Sequence, residues 1–120
     1  MDLQEHRILI VEDEIVVAMD LASIVRDAGA EVVGPAISVP EALHLIERQE
    51  ITAAIVDVQL GNEDSLPVAR RLDAARIPFV FHTGNGNKLL SPNLWPQAPI
   101  IKKPAEPHVL IAAVAAVANR

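Results

Sequence analysis

The sequence predicts an α/β fold in which about five strand–helix units build one parallel sheet, with helices on both of its faces. Three observations predict it. Short apolar runs alternate along the chain with longer segments of helical periodicity. One of those runs, "TAAIVD" (52–57), is almost continuously apolar, as a parallel strand covered on both faces must be. The helical segments also carry start and stop signals of their own: capping-box spacing, early prolines and a closing glycine.

The first strand is "RILIV" (7–11). The segment "EIVVAMDLASIVRDAG" (14–29) then reads as a helix closed by Gly29, since glycine takes the left-handed conformation that ends a helix. "EVVG" (31–34) is a short second strand of the kind expected at a sheet edge. "SVPEALHLIERQ" (38–49) is a helix, with Ser38 and Glu41 at capping-box spacing and Pro40 in the first turn. "TAAIVD" is the third strand. "SLPVARRLDAAR" (65–76) is the third helix, with Ser65 placed as its N-cap. "PFVFHT" (78–83) and "PIIKK" (99–103) are the fourth and fifth strands, and "AEPHVLIAAVAAVANR" (105–120) is the last helix. Between those two strands, "GNGNKLLSPNLWPQA" (84–98) holds two glycines and two prolines, so any helix there should be short or irregular. It also holds the lone tryptophan, Trp95, a natural fluorescent reporter for that segment.

Composition narrows the function. A length of 120 residues makes one domain the expectation, residues 1–120 with no output domain visible. A net charge of −6 disfavours nucleic acid as a partner, because phosphate contacts need clustered Lys and Arg. Aromatic residues at 2% are too few to stack bases. The absence of cysteine removes disulfides and thiolate metal sites. No apolar run reaches the roughly 18 residues of a membrane span, and the acidic "MDLQEHR" start is no secretory signal. A cytoplasmic location without membrane contact is the expectation.

In parallel α/β sheets ligands gather at the carboxyl ends of the strands. Here those ends carry Glu12 and Asp13, then Asp57, Thr83 and Lys103. Three carboxylates on one rim repel one another unless a hard cation or an ammonium relieves them. An all-oxygen set without clustered His or Cys suits Mg²⁺, with Mn²⁺ as its substitute, rather than Zn²⁺. With a carboxylate free to attack, the set describes phosphoryl transfer. Asp57 would be the nucleophile, Asp13 and Asp57 would hold Mg²⁺, and Thr83 and Lys103 would bind the phosphoryl oxygens.

The motifs "ILIVEDE", "AAIVDVQLGNED", "FVFHTG" and "IIKKP", in that order at successive strand ends, resemble the receiver domain of bacterial two-component response regulators along essentially the whole chain. The resemblance implies a flavodoxin-like, doubly wound (βα)5 fold with a central five-stranded parallel sheet. It implies that Asp57 takes a phosphoryl group from a phosphohistidine on a sensor histidine kinase or a histidine phosphotransfer protein, and slowly loses it again. It implies that Glu12, Asp13, Asp57 and the backbone carbonyl of Gln59 organise Mg²⁺, and that the Lys103–Pro104 bond is cis. Signalling would follow by protein contact. More particularly, the chain resembles the group, often single-domain, whose fourth strand ends Phe-Ala-Thr-Gly-Tyr-Gly. Here that stretch reads Phe81-His82-Thr83-Gly84-Asn85-Gly86, with Asn85 for the tyrosine and His82 for the alanine. Ile100 stands where many receivers have a switch aromatic, and Ala105 where phenylalanine is common after Lys-Pro.

Two rival functions differ in class. A pseudo-receiver would bind partners without taking phosphate, but the intact Asp13, Asp57, Thr83 and Lys103 speak against it. An aspartyl-phosphate phosphatase needs a second acid–base Asp two residues after the nucleophile, where this chain has Gln59.

Simpler roles compete at single positions. Asp13 also fits as the N-cap of the first helix. His82 alternates away from Thr83 and reads as a packed or hydrogen-bonded residue rather than a catalyst. Lys102 should face away from Lys103's side of the strand. "IVVAM" (15–19) opens a helix with five apolar residues, so Ile15, Val16 and Met19 are expected to form a kinase-docking patch. The last helix is apolar almost all round, which points to a self-association or partner face and a homodimer.

Overall fold

The computed structural model describes residues 2–84 and 98–119. Seven strands and four helices occur among them, in the order β1 (Arg7–Val11), α1 (Ile15–Asp27), β2 (Glu31–Ala36), α2 (Val39–Arg48), β3 (Ala53–Val56), β4 (Gln59–Leu60), β5 (Glu63–Asp64), α3 (Leu66–Ala74), β6 (Phe79–Thr83), β7 (Ile100–Lys102) and α4 (Pro107–Ala118). Five strands form one sheet in the order β2-β1-β3-β6-β7, every pair parallel. The fold is the parallel α/β architecture that the alternation predicts and the flavodoxin-like one that the resemblance implies, with β2 at an edge.

Period two along the strands sorts the core into two layers. Leu9, Val11, Ala54, Val56, Phe79 and Phe81 pack with α2 and α3. Ile8, Ile10, Ala53, Ile55 and Val80 pack with α1 and α4 on the other face. All four residues of β3 are buried, because the sheet is covered on both sides.

Helix ends follow local chemistry. Gly29 N–H donates to Arg26 O and Ala30 N–H to Val25 O, closing α1 in a Schellman motif with Gly29 at φ 100°. The same pair of bonds closes α3, from Arg76 N–H to Asp73 O and from Ile77 N–H to Leu72 O. There Arg76, not a glycine, takes the left-handed conformation, at φ 59°. α3 therefore stops at Ala74, short of the expected end at 76. At α2 the Glu41 N–H donates to Ser38 Oγ at 3.3 Å, while the Glu41 carboxylate accepts from Ile37 N–H at 3.2 Å. The expected box forms with its return bond one residue early.

Two expectations change, those for β2 and for Ser65, and the segment after Asp57 gains regular structure. β2 does not end at Gly34: it runs on to Ala36 through a cis Gly34–Pro35 bond. An edge strand tolerates a proline, because one side of its backbone needs no ladder partner. The register with β1 shifts between Leu9 and Val11 at this point, and Ala36 O accepts from Glu12 N–H. The polar loop after Asp57 is a two-stranded antiparallel hairpin, β4–β5, turning through Gly61 at φ 61°. Gly-Asn between two short strands is a hairpin signal that the sequence offered. Ser65 occupies the N-cap position of α3 without capping it. Asp64 Oδ1 accepts from Leu66 N–H at 3.0 Å instead, and among the described residues the buried Ser65 Oγ has no partner. Residues 85–97, where any helix was expected to be short or irregular, lie outside the described residues, Trp95 among them.

Candidate functional site

The strands β1, β3, β6 and β7 deliver their C-terminal residues to one rim, because parallel neighbours share a direction. One oxygen from each of Glu12, Asp13 and Asp57 falls within 4.8 Å of the others. Lys103 Nζ stands 2.9 Å from Asp57 Oδ2 and 2.7 Å from Glu12 Oε1, with Glu14 Oε1 at 3.8 Å. Asp13, Asp57, Gln59, Gly61, Thr83 and Lys103 line a cleft of about 300 Å³. Lys102, one residue earlier, is exposed and pairs with Thr83 along the ladder. The Lys103–Pro104 bond is cis.

The carboxylates are held by backbone N–H groups as well as by charge. Asp57 Oδ1 accepts from Gln59 N–H at 3.3 Å, and Glu12 Oε2 from Glu14 N–H at 3.1 Å. Asp13 Oδ2 accepts from Gly61 N–H at 2.9 Å, which ties the tip of the β4–β5 hairpin to the acidic pair. Asp13 thus does not cap α1, whose N-cap residue is Glu14 and whose first turn has no side-chain cap. The tie was not legible beforehand, because its partners are 48 residues apart.

Burial sets the protonation chemistry. Glu12 is fully buried, and that desolvation pushes its carboxyl up to about 7 against the opposing pull of Lys103. Burial acts to lower Lys103, but contact with Glu12 and Asp57 outweighs it and holds the ammonium above its ordinary value. One ammonium faces three close carboxylates, so the cluster has a surplus of negative charge. The donors are all oxygens, with an open cleft beside them. That chemistry fits a hard divalent cation such as Mg²⁺.

His82 is buried, and its Nδ1 has no hydrogen-bond partner among the described residues, so it is packed but not polar-satisfied. Burial first, and Lys103 second, lower its proton affinity. Ile100 is partly exposed on β7 opposite Phe81. Ala105, which follows Pro104, packs against the α1/α4 layer.

The apolar patches are where the sequence put them. Ile15, Val16 and Met19 are 61%, 81% and 59% exposed at the start of α1. On α4, Leu110, Ile111, Val114 and Val117 are buried, whereas Val109, Ala112 and Ala116 are exposed along one stripe.

The chain matches the family described as the response regulator receiver domain over residues 8–115. It is 38% identical over 79 residues to the transcriptional regulatory protein PdtaR of Mycobacterium tuberculosis, a span of 65% of this chain and 38% of that protein. The matched region is thus well under half of the curated relative's length. Among solved structures, a response regulator receiver protein from Sinorhizobium medicae superposes with TM-score 0.85 at 26% identity, covering 95% of this chain and 94% of that one. The response regulator PhyR from Brucella abortus superposes with TM-score 0.84 at 29% identity, over 98% of this chain and 50% of that one. No helix among the described residues is long and apolar enough to cross a membrane.

Proposed function

The chain belongs to the response regulator receiver domain family, and from that premise we propose that Asp57 accepts a phosphoryl group from a phosphohistidine on a sensor kinase or phosphotransfer protein. The observation that carries this reading is the contact of Lys103 Nζ with Asp57 Oδ2 at 2.9 Å, beside the Glu12–Asp13 pair.

In the transfer, an Asp57 carboxylate oxygen attacks phosphorus. A P–O bond forms as the P–N bond to the partner's imidazole breaks, and the imidazole leaves with the electron pair. Lys103 moves its ammonium from the carboxylate to the phosphoryl oxygens, and the Thr83 hydroxyl donates to them. Glu12, Asp13, Asp57 and the Gln59 carbonyl would hold Mg²⁺, which supplies charge neutralisation on the phosphoryl oxygens. Loss of the group is the same displacement with water as nucleophile and the Asp57 carboxylate as leaving group, the water's proton passing to the released phosphate or to solvent.

The exposed Ile15, Val16 and Met19 would dock the phosphodonor's helices. The stripe of Val109, Ala112 and Ala116 would serve self-association or an output partner. The chain would act as a signalling domain of the Phe-Ala-Thr-Gly-Tyr-Gly-like group, in the cytoplasm, through protein contact rather than on nucleic acid.

Incubation with Mg²⁺ and a small acyl phosphate, followed by intact-mass measurement, tests the proposal. A single-phosphate adduct is expected, absent in Asp57→Asn. No adduct from any donor would sink it and leave a non-phosphorylated interaction module.

A further inference from the structure

Glu14 lines the same cleft as Asp57, Thr83 and Lys103, yet it stands outside the carboxylate cluster that fits a cation. We propose that Glu14 selects the phosphodonor by charge, disfavouring free dianionic acyl phosphates against nitrogen-linked donors of lower net charge. This selectivity rests on the reading of Asp57 as phosphoacceptor.

Local structure fixes the Glu14 backbone and leaves its side chain in the open. Its N–H donates to Glu12 Oε2 at 3.1 Å, and it occupies the N-cap position of α1 without a side-chain cap bond. Its side chain is 67% exposed. Among the described residues its carboxylate has one cationic neighbour, Lys103 Nζ, at 3.8 Å from Oε1. The same ammonium stands 2.9 Å from the buried Asp57 Oδ2. Glu14 therefore lies one ammonium away from the attacking carboxylate, on its solvent side.

The charges of the cleft make that position consequential. The ionised carboxylates of Glu12, Asp13 and Asp57 are matched by a divalent cation together with the Lys103 ammonium. Glu14 is the surplus negative group, and a donor entering the cleft passes it. Its repulsion scales with the donor's charge and is softened by water and salt. At neutral pH acetyl phosphate is a dianion. Phosphoramidate carries a proton on nitrogen and is a net monoanion, as is a phosphoimidazole protonated on its ring. In either transfer an Asp57 oxygen bonds phosphorus, and acetate or ammonia leaves with the electron pair of the broken bond. Lys103 and the cation attract both donors, so the part due to Glu14 is read from the ratio of variant to unaltered protein.

Initial rates of adduct formation, followed by intact mass at neutral pH and saturating Mg²⁺, test this with acetyl phosphate and phosphoramidate. In Glu14→Gln at low salt the rate should rise about twofold with phosphoramidate and about fourfold with acetyl phosphate, because the second donor carries twice the charge. Both ratios should shrink toward one at high salt. Glu14→Asp keeps the charge and should keep most of the discrimination between donors. Equal rises with the two donors, no rise with acetyl phosphate, or a rise that salt leaves unchanged would each overturn the proposal. An exposed side chain that caps nothing can be exchanged without unfolding the chain, and a merely structural effect of the exchange would move both donors alike. If the unaltered protein forms no adduct with either donor, the acceptor reading falls and this proposal with it. Adduct formation with an unchanged donor ratio sinks this proposal alone.

Discussion

Lys103 Nζ bridges two carboxylates from different strands, 2.9 Å from Asp57 Oδ2 and 2.7 Å from Glu12 Oε1. Removing the ammonium leaves both acids buried without their cation. Breaking one side of such a pair costs about 3 kcal/mol. Lys103→Met should therefore lower stability by about that amount in urea unfolding with chelator at pH 8. The loss should shrink at pH 6, where Glu12 can take a proton instead. An equal loss at both pH values would refute the coupling.

Glu12 gives the cleft a pH dependence of definite sign. Its folded value of about 7 lies above the ordinary 4.5, so the folded state holds the proton more tightly than the unfolded chain. The contribution of this group to stability is full below about 4.5 and is lost as pH rises through about 7. Lys103 is shifted the other way in charge terms: raised above 10.5, its contribution persists through neutral pH and is lost only above that value. In chelator, the unfolding midpoint should fall between pH 5 and pH 8, and Glu12→Gln should flatten that slope. Mg²⁺ should stabilise the protein more at pH 8 than at pH 5, since a cation favours the ionised acid. A midpoint that rises over the same range in chelator would contradict the sign.

The Asp13–Gly61 bond joins the acidic pair to the β4–β5 hairpin. A cation drawn to Asp13 must share or displace that acceptor. Titration with Mg²⁺ should shift the Gly61 amide resonance well beyond that of Thr52, which sits at the opposite end of the sheet. Asp13→Ala should abolish the Gly61 response and weaken Mg²⁺ binding by calorimetry at least about tenfold. An unmoved Gly61 amide at saturating Mg²⁺ would show that the tie is independent of the metal.

The cap of α3 is a test of which side chain does the capping. Asp64→Ala should cost about 1 kcal/mol, the usual worth of an N-cap. Ser65→Ala should cost far less, because among the described residues the buried hydroxyl makes no hydrogen bond that the substitution would remove. The reverse order in denaturant unfolding would restore Ser65 to the role its sequence position suggested.

The strand–helix alternation was legible because periodicity is local: a strand repeats every second residue and a helix every third or fourth. The convergence of Glu12, Asp13, Asp57, Thr83 and Lys103 was legible for a related reason. Once the sheet is parallel, every strand's carboxyl end lies on the same edge. Lys103 was separable from Lys102 because it precedes Pro104 and the strand period turns Lys102 to the other face. Capping at α3 was misread because Asp64 and Ser65 are both good cap residues, and which one reaches the helix depends on the hairpin that precedes it. The left-handed Arg76 had no glycine to announce it.

What the sequence by itself determined about this protein is therefore the order of its elements and the residues delivered to the rim. Only the tertiary structure decided how those residues pair. Lys103 answers Glu12 as well as Asp57, Gly61 holds Asp13, and the buried His82 Nδ1 has no partner among the described residues. Each of these is set by what another strand or loop places within a few ångströms, across separations that no local pattern records. Local preference fixes conformation, but the electrostatics and hydrogen bonding of a buried group belong to its neighbours in space.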